Sequence, residues 1–331
     1  MRLTVEPDMT FVTSRDLGLP EFRPRWPWIG GDLQTVRNTF RFREPNLAQY
    51  SAARLSFDAA DGSGDILQAV INRPAVDAGK PAIMVIHGLT GSEDSPNIKT
   101  TAAFFLPQGY PVIRLNLRGA GPSETTCRQH YHAGRSSDIG AGLGAMPPDI
   151  VARGIYLMGI SLGGNVLLKF LAEAGKNPLI RAAVAVSPPV DLKAAQLRIM
   201  APRNALYHSH LLRGMKAGSL ARAAAIPLGD IRTVYDFDDR VVAPANGFAG
   251  AEDYYSRSSA FPLLRAIVTP TLIVHPADDP WVPVESLVAC SFDSRAVTRL
   301  ISTSGGHIGF HAQGDPWPWH NRAALAFFQR H

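Results

Sequence analysis

Residues 155–175 read IYLMGISLGGNVLLKFLAEAG, and their order is that of a strand, a sharp turn and a helix. The run 155–158 is apolar without polar alternation, as in a strand buried on both faces, and 162–174 carries a helical pattern. Ser161 stands between them. Gly159 and Gly163 lie two residues before and two after it, where a turn this sharp leaves no room for side chains. In this context GxSxG reads as a nucleophile elbow, which lifts a serine hydroxyl above the sheet edge. The bland alternative is a serine that merely caps a helix.

Working outward, further apolar runs occur at 66–71, 82–86, 112–117, 182–186, 271–274 and 297–301, with helical patterns at 98–106, 138–145, 284–289 and 322–330. Continuous rather than alternating hydrophobicity, in βαβα order, predicts a mainly parallel sheet covered by helices. About 80 residues separate the runs at 182–186 and 271–274, too many for one crossover helix. An insertion is expected there. The boundaries are an arm over 1–60, rich in Pro, Arg and Trp, a core over 61–190 and 266–331, and a mostly helical cap over 191–265.

A serine hydroxyl is a weak nucleophile until a base takes its proton, and the base is normally a histidine oriented by a carboxylate. On a sheet of this kind the partners follow in the order Ser, Asp/Glu, His, each after a late strand. TLIVHPADDPWVP puts Asp278 and Asp279 past one such strand, and RLISTSGGHIGF puts His307 past the next. The oxyanion of an acyl intermediate needs backbone donors. In IMVIHGLTGS, His87 and Gly88 turn the chain so that the Leu89 amide points inward, and the Leu162 amide beside Ser161 is the second donor. His87 reads as an anchor of that loop rather than a reacting group.

These residues resemble the YheT-like, embryogenesis-associated branch of the α/β-hydrolase superfamily. HGLTGS, NLRGAGPSE with Arg118 and Gly119, YHAGRSSDI, MGISLGGN with Asn165, YDFDDRVVAPANGF followed by EDYYSRSSA, ADDP and GGHIGF match successive family motifs from about residue 25 to the end. The resemblance implies an α/β fold with a mostly parallel eight-stranded sheet, a helical cap after the sixth strand, and a Ser161, Asp279, His307 triad. In such acid loops a proline commonly stands four residues after the catalytic Asp, as Pro283 does after Asp279. One position departs: GGDLQT has Asp32 where the family usually has a histidine.

Composition narrows the partners. The 331 residues are 46% hydrophobic and 18% charged, which fits a globular domain and excludes a coiled coil or fibre. The net charge of +5 is carried by single or paired Lys and Arg, not by the dense runs of nucleic-acid binders. Residues 191–229 hold six Lys/Arg against one Asp, so the excess concentrates in the first half of the expected cap. That charge is expected to favour anionic or amphiphilic substrates. Cys127 and Cys290 form no CxxC pair, and Glu6, Asp8 and Asp16 interrupt any apolar leader, which together predict a reducing cytoplasmic setting. The longest uncharged apolar stretch, 154–168, has 15 residues, below the roughly 18 that cross a bilayer. Peripheral membrane contact stays open.

The pairs His130/His132 and His208/His210 could share one side of a strand for a metal, but no carboxylate or Cys cluster accompanies them, so no metal is expected. GAGPS lacks a dinucleotide fingerprint, and no cofactor is expected. The function expected is a carboxylic-ester hydrolase acting on small-molecule or lipid-like esters through an acyl-enzyme. The rivals are acyl transfer or perhydrolysis on the same triad, and a silent binding protein that kept the fold. Neither composition nor motif names an oligomeric state.

Overall fold

The computed structural model describes residues 11–218, 226–288, 294 and 296–331. Cys290 and the last residue of the helix expected at 284–289 lie outside them, as do Glu6, Asp8 and part of the expected cap. Among the described residues nine strands form one sheet: β1 (Phe11–Val12), β2 (Ser51–Asp58), β3 (Ile66–Arg73), β4 (Ala82–Ile86), β5 (Val112–Leu115), β6 (Ile155–Ile160), β7 (Ile180–Val186), β8 (Thr271–Pro276) and β9 (Val297–Ser302). Their spatial order is β1-β9-β8-β7-β6-β4-β5-β3-β2. The pairs β2·β3 and β3·β5 are antiparallel, and the rest are parallel.

Successive side chains of a strand face opposite sides of the sheet, and β4 uses both: Ala82, Met84 and Ile86 join one apolar core, Ile83 and Val85 the other. Helices α3 (Ser137–Gly144) and α4 (Leu162–Ala174) cover the first face, and α2 (Pro96–Phe105) and α8 (Trp319–Phe328) the second. The uninterrupted hydrophobicity of the central strands follows from this double covering.

The arm expected over 1–60 is more structured than an arm. It supplies β1 at one edge, β2 at the other and α1 (Gly31–Arg41) between them, so the sheet has nine strands where eight were expected. β2 escapes an apolar-run search because it is an edge strand in which only Phe57 is buried. β1 is two residues long. Between β7 and β8 stand α5 (Leu192–Met200), α6 (Ala205–Ala217), an irregular helical stretch at 234–245 and α7 (Ala251–Ser258). The basic excess of residues 191–229 is partly cancelled by acids outside that stretch: Lys193 pairs with Glu252, Arg198 with Glu285 and Arg203 with Asp32. No helix among the described residues is long and apolar enough to cross a membrane.

Candidate active site

β6 runs into α4 through Ser161, whose backbone sits at φ 51°, ψ −120°, a region that few side-chain-bearing residues enter. The turn is held by the Ser161 N–H donating to the Val186 carbonyl at 2.8 Å. A Cβ on Gly159 would stand 2.5 Å from the Gly163 carbonyl oxygen, and one on Gly163 would stand 2.4 Å from that of His87. Glycine is therefore required at both places by contact with the backbone, and the second contact ties the elbow to the loop after β4.

The loops after β8 and β9 bring Asp279 and His307 to the same edge. The Ser161 Oγ lies 2.8 Å from His307 Nε2, and His307 Nδ1 lies 2.9 Å from Asp279 Oδ2. A carboxylate only accepts, so Nδ1 carries the ring proton and Nε2 is left as the acceptor for the serine hydroxyl. Asp279 Oδ1 accepts the Trp281 and Val282 N–H groups at 2.8 and 3.0 Å. Burial pushes the Asp279 carboxyl up, but the charge and hydrogen bond of His307 outweigh it and leave the group below its ordinary value. Asp278 turns elsewhere: its Oδ1 accepts the Gly306 N–H at 2.9 Å, and burial raises its carboxyl.

Neither the Leu89 nor the Leu162 N–H has a protein acceptor among the described residues, and both residues line the cavity that Ser161 opens on. The loop carrying Leu89 is fixed on both sides. His87 is fully buried; its Nε2 accepts the Leu117 N–H at 3.1 Å, which leaves the proton on Nδ1 to donate to the Gly88 carbonyl at 2.8 Å. Burial pushes the imidazole down to about 4, so it stays neutral. Thr90, at φ 58°, donates its N–H to the Tyr131 hydroxyl at 2.7 Å. Asn165, also buried, donates to the Ala133 and Ser258 carbonyls and accepts the Ala260 N–H, joining α4 to the segment after α7.

Several residues at the site carry no motif of their own. The Trp281 ring stacks on His307 with centroids 4.5 Å apart, and the His307 N–H donates to Thr35 Oγ at 2.8 Å. Thr35 and Gly31 belong to α1, and a Cβ on Gly31 would stand 1.9 Å from the Asp278 carbonyl oxygen. Asp32, the position that departs from the family pattern, reaches α6 instead: it accepts from Arg203 at 2.8 Å and from the Tyr207 hydroxyl at 3.1 Å. Arg118 is buried in a cluster with Asp61, Asp65 and Asp138, under the loop that leads to Tyr131.

The paired histidines do not share a face as a strand would give them. His208 and His210 are on a helix, α6, where two residues apart means different sides, and His208 Nε2 accepts the Val234 N–H. His130 and His132 lie in a loop, bonded to the Tyr131 carbonyl and the Gly134 N–H. Among the described residues, no three His, Cys, Asp or Glu side chains gather as metal ligands would.

Ser161 and His307 open on a cavity of about 750 Å³, walled by Leu192, Ile199, Leu211, Met215, Phe237 and others. A hydroxyl 2.8 Å from an imidazole nitrogen, beside two amide N–H groups and a largely apolar chamber, is an arrangement that can attack and hold an acyl group.

A family model described as alpha/beta hydrolase fold matches residues 81–312. YheT of Escherichia coli (strain K12), which carries an esterase name, is 31% identical over 72% of this chain and 72% of its own length. A monoacylglycerol lipase of Saccharomyces cerevisiae is 28% identical over 76% of this chain, which spans 60% of that relative. The solved Pyrococcus furiosus esterase Pf2001 is similar with a TM-score of 0.57 at 18% identity, covering 93% of this chain and 99% of that one.

Proposed function

The chain belongs to the α/β-hydrolase family, in the branch that holds YheT, and from that premise we propose that it is a serine hydrolase of carboxylic esters that needs no cofactor. The observation that carries the reading is the chain of contacts at 2.8 and 2.9 Å from Ser161 through His307 to Asp279. His307 takes the Ser161 proton as Oγ attacks the ester carbonyl. Asp279 keeps the imidazole in the tautomer that can accept, and stabilises the imidazolium that forms. The Leu89 and Leu162 amides hold the oxyanion, a contribution of about 3 kcal/mol per donor in comparable sites. His307 then protonates the leaving alcohol, and water deacylates Ser161 by the same route.

The segment 191–265 is the cap in this reading, since α5, α6 and the stretch 234–245 supply much of the cavity wall. An apolar chamber of this size favours an aliphatic acyl or alkyl group over a small polar one. The test is hydrolysis of p-nitrophenyl esters of rising chain length by the wild type and by Ser161→Ala. A burst of one nitrophenol per chain followed by a slower steady rate, lost in the variant, is expected. Equal rates in the two proteins would exclude the mechanism.

A further inference from the structure

The motif stretches 235–248 and 252–260 meet in the cap and take no part in the triad chemistry. Asp238 opens a single π turn, Asp238–Val242, and lies on the cavity that Ser161 and His307 also line, 8% exposed. Its Oδ2 accepts the Tyr255 hydroxyl proton at 2.7 Å, and its Oδ1 has no donor among the described residues. Among the described residues no cation answers it there. Arg240 donates to the Asp230 carbonyl, and Lys193, close to the Tyr255 ring, pairs with Glu252.

A second oxygen on the same wall has no donor either. Gln196 of α5 is 6% exposed and lines the same cavity. Its Nε2 donates to Met200 Sδ at 2.6 Å, and its Oε1 is buried without a partner among the described residues. α5 packs on α7 and on the stretch that carries Asp238, so the two acceptors belong to one wall. Burial pushes the Asp238 carboxyl up to about 7, only partly countered by the Tyr255 bond. Buried acceptors left without donors destabilise a fold unless a donor arrives from outside. Leu192, Ile199, Phe237 and Val242 line the same cavity.

We infer that Asp238 and Gln196 form a polar subsite that binds a hydroxyl group of the substrate. The inference rests on the ester-hydrolase reading and narrows it to esters with a free hydroxyl away from the scissile carbonyl. Two sources fit this chemistry, a hydroxylated acyl chain and a polyol alcohol with one hydroxyl unesterified. Tyr255 orients Asp238 by holding Oδ2, which leaves Oδ1 to accept from the substrate.

The experiment uses the Ser161→Ala protein, so that binding is read without turnover. Calorimetric Kd values are compared within matched pairs: an ω-hydroxyacyl ethyl ester against its deoxy analogue, a monoglyceryl ester against the matched propyl ester, and an ω-ammonium acyl ester as a third arm. At least one hydroxylated member should bind about tenfold tighter than its partner. Adding Asp238→Leu with Tyr255→Phe, which removes both ends of the buried bond together, should bring that ratio to within about twofold, and Gln196→Leu should reduce it. Equal affinities in both pairs, no binding at all, tightest binding of the ammonium ester, or a ratio that survives the double substitution would each overturn the subsite. If the ratio holds while the wild type turns over none of these esters, the subsite stands and the hydrolase reading fails.

Discussion

Asp279 Oδ2 faces His307 Nδ1 at 2.9 Å, while the adjacent Asp278 bonds the Gly306 N–H at 2.9 Å. Two neighbouring carboxylates thus serve the same loop in different ways, one through an imidazole and one through backbone. Asp279→Asn presents an amide that can leave His307 in the wrong tautomer, and kcat should fall about 10⁴-fold. Asp278→Ala should lose one hydrogen bond, about 0.5–1.5 kcal/mol of stability, with kcat nearly kept. Steady-state kinetics and denaturant titration of the two variants separate the roles; the reverse pattern would make Asp278 the orienting residue.

Gly163→Ala tests the elbow. Its new Cβ would sit 2.4 Å from the His87 carbonyl oxygen and 2.5 Å from that of Ile86. Backbone must move to admit it, at about 1–3 kcal/mol, and the loop carrying Leu89 moves with it. Both the denaturation midpoint and kcat should fall, and a variant with wild-type values of both would contradict the packing.

Tyr131 acts on the reaction only through the loop it holds. In Tyr131→Phe the Thr90 N–H loses its acceptor, and the Leu89 amide next to it loses its fixed aim. We expect kcat to drop about tenfold with KM nearly unchanged, because the oxyanion exists only after attack. A rise in KM alone would show Tyr131 to be a binding residue.

The pH dependence of stability has a definite sign. Burial holds His87 down to about 4 against an ordinary 6.5, and it holds His132, His311 and His320 down to about 3. The unfolded chain protonates these groups first, so their contribution is present above pH 6.5 and is lost as pH falls toward their folded values. His87→Gln removes one of the four. Its Tm should change less steeply than the wild type's between pH 6.5 and 4, and identical slopes would mean that His87 is not held neutral.

The candidate site is legible wherever chemistry needs fixed residue types in fixed order. Ser161 with its two glycines, His307 after a late strand and the turn at Gly88 are forced by the backbone and readable in the string. What favours Asp279 over Asp278 in the sequence is a proline spacing shared with related acid loops, not the pair itself. The parts that stayed hidden act through geometry that has no local pattern. Thr35 reaches His307 from α1, some 270 positions away in the chain, and Trp281 stacks on the imidazole from the acid loop. β2 was hidden because an edge strand with one buried residue has no apolar run to find. A shared face for His208 and His210 needs a strand, and the chain is helical there.

In the proposed mechanism Ser161 is a covalent nucleophile activated by His307. Treating the folded protein with a fluorophosphonate and locating the adduct by peptide mass spectrometry tests it most directly. One adduct is expected, on Ser161, absent in Ser161→Ala and strongly slowed in His307→Ala. Unlabelled folded wild type, or labelling that persists in Ser161→Ala, would contradict it.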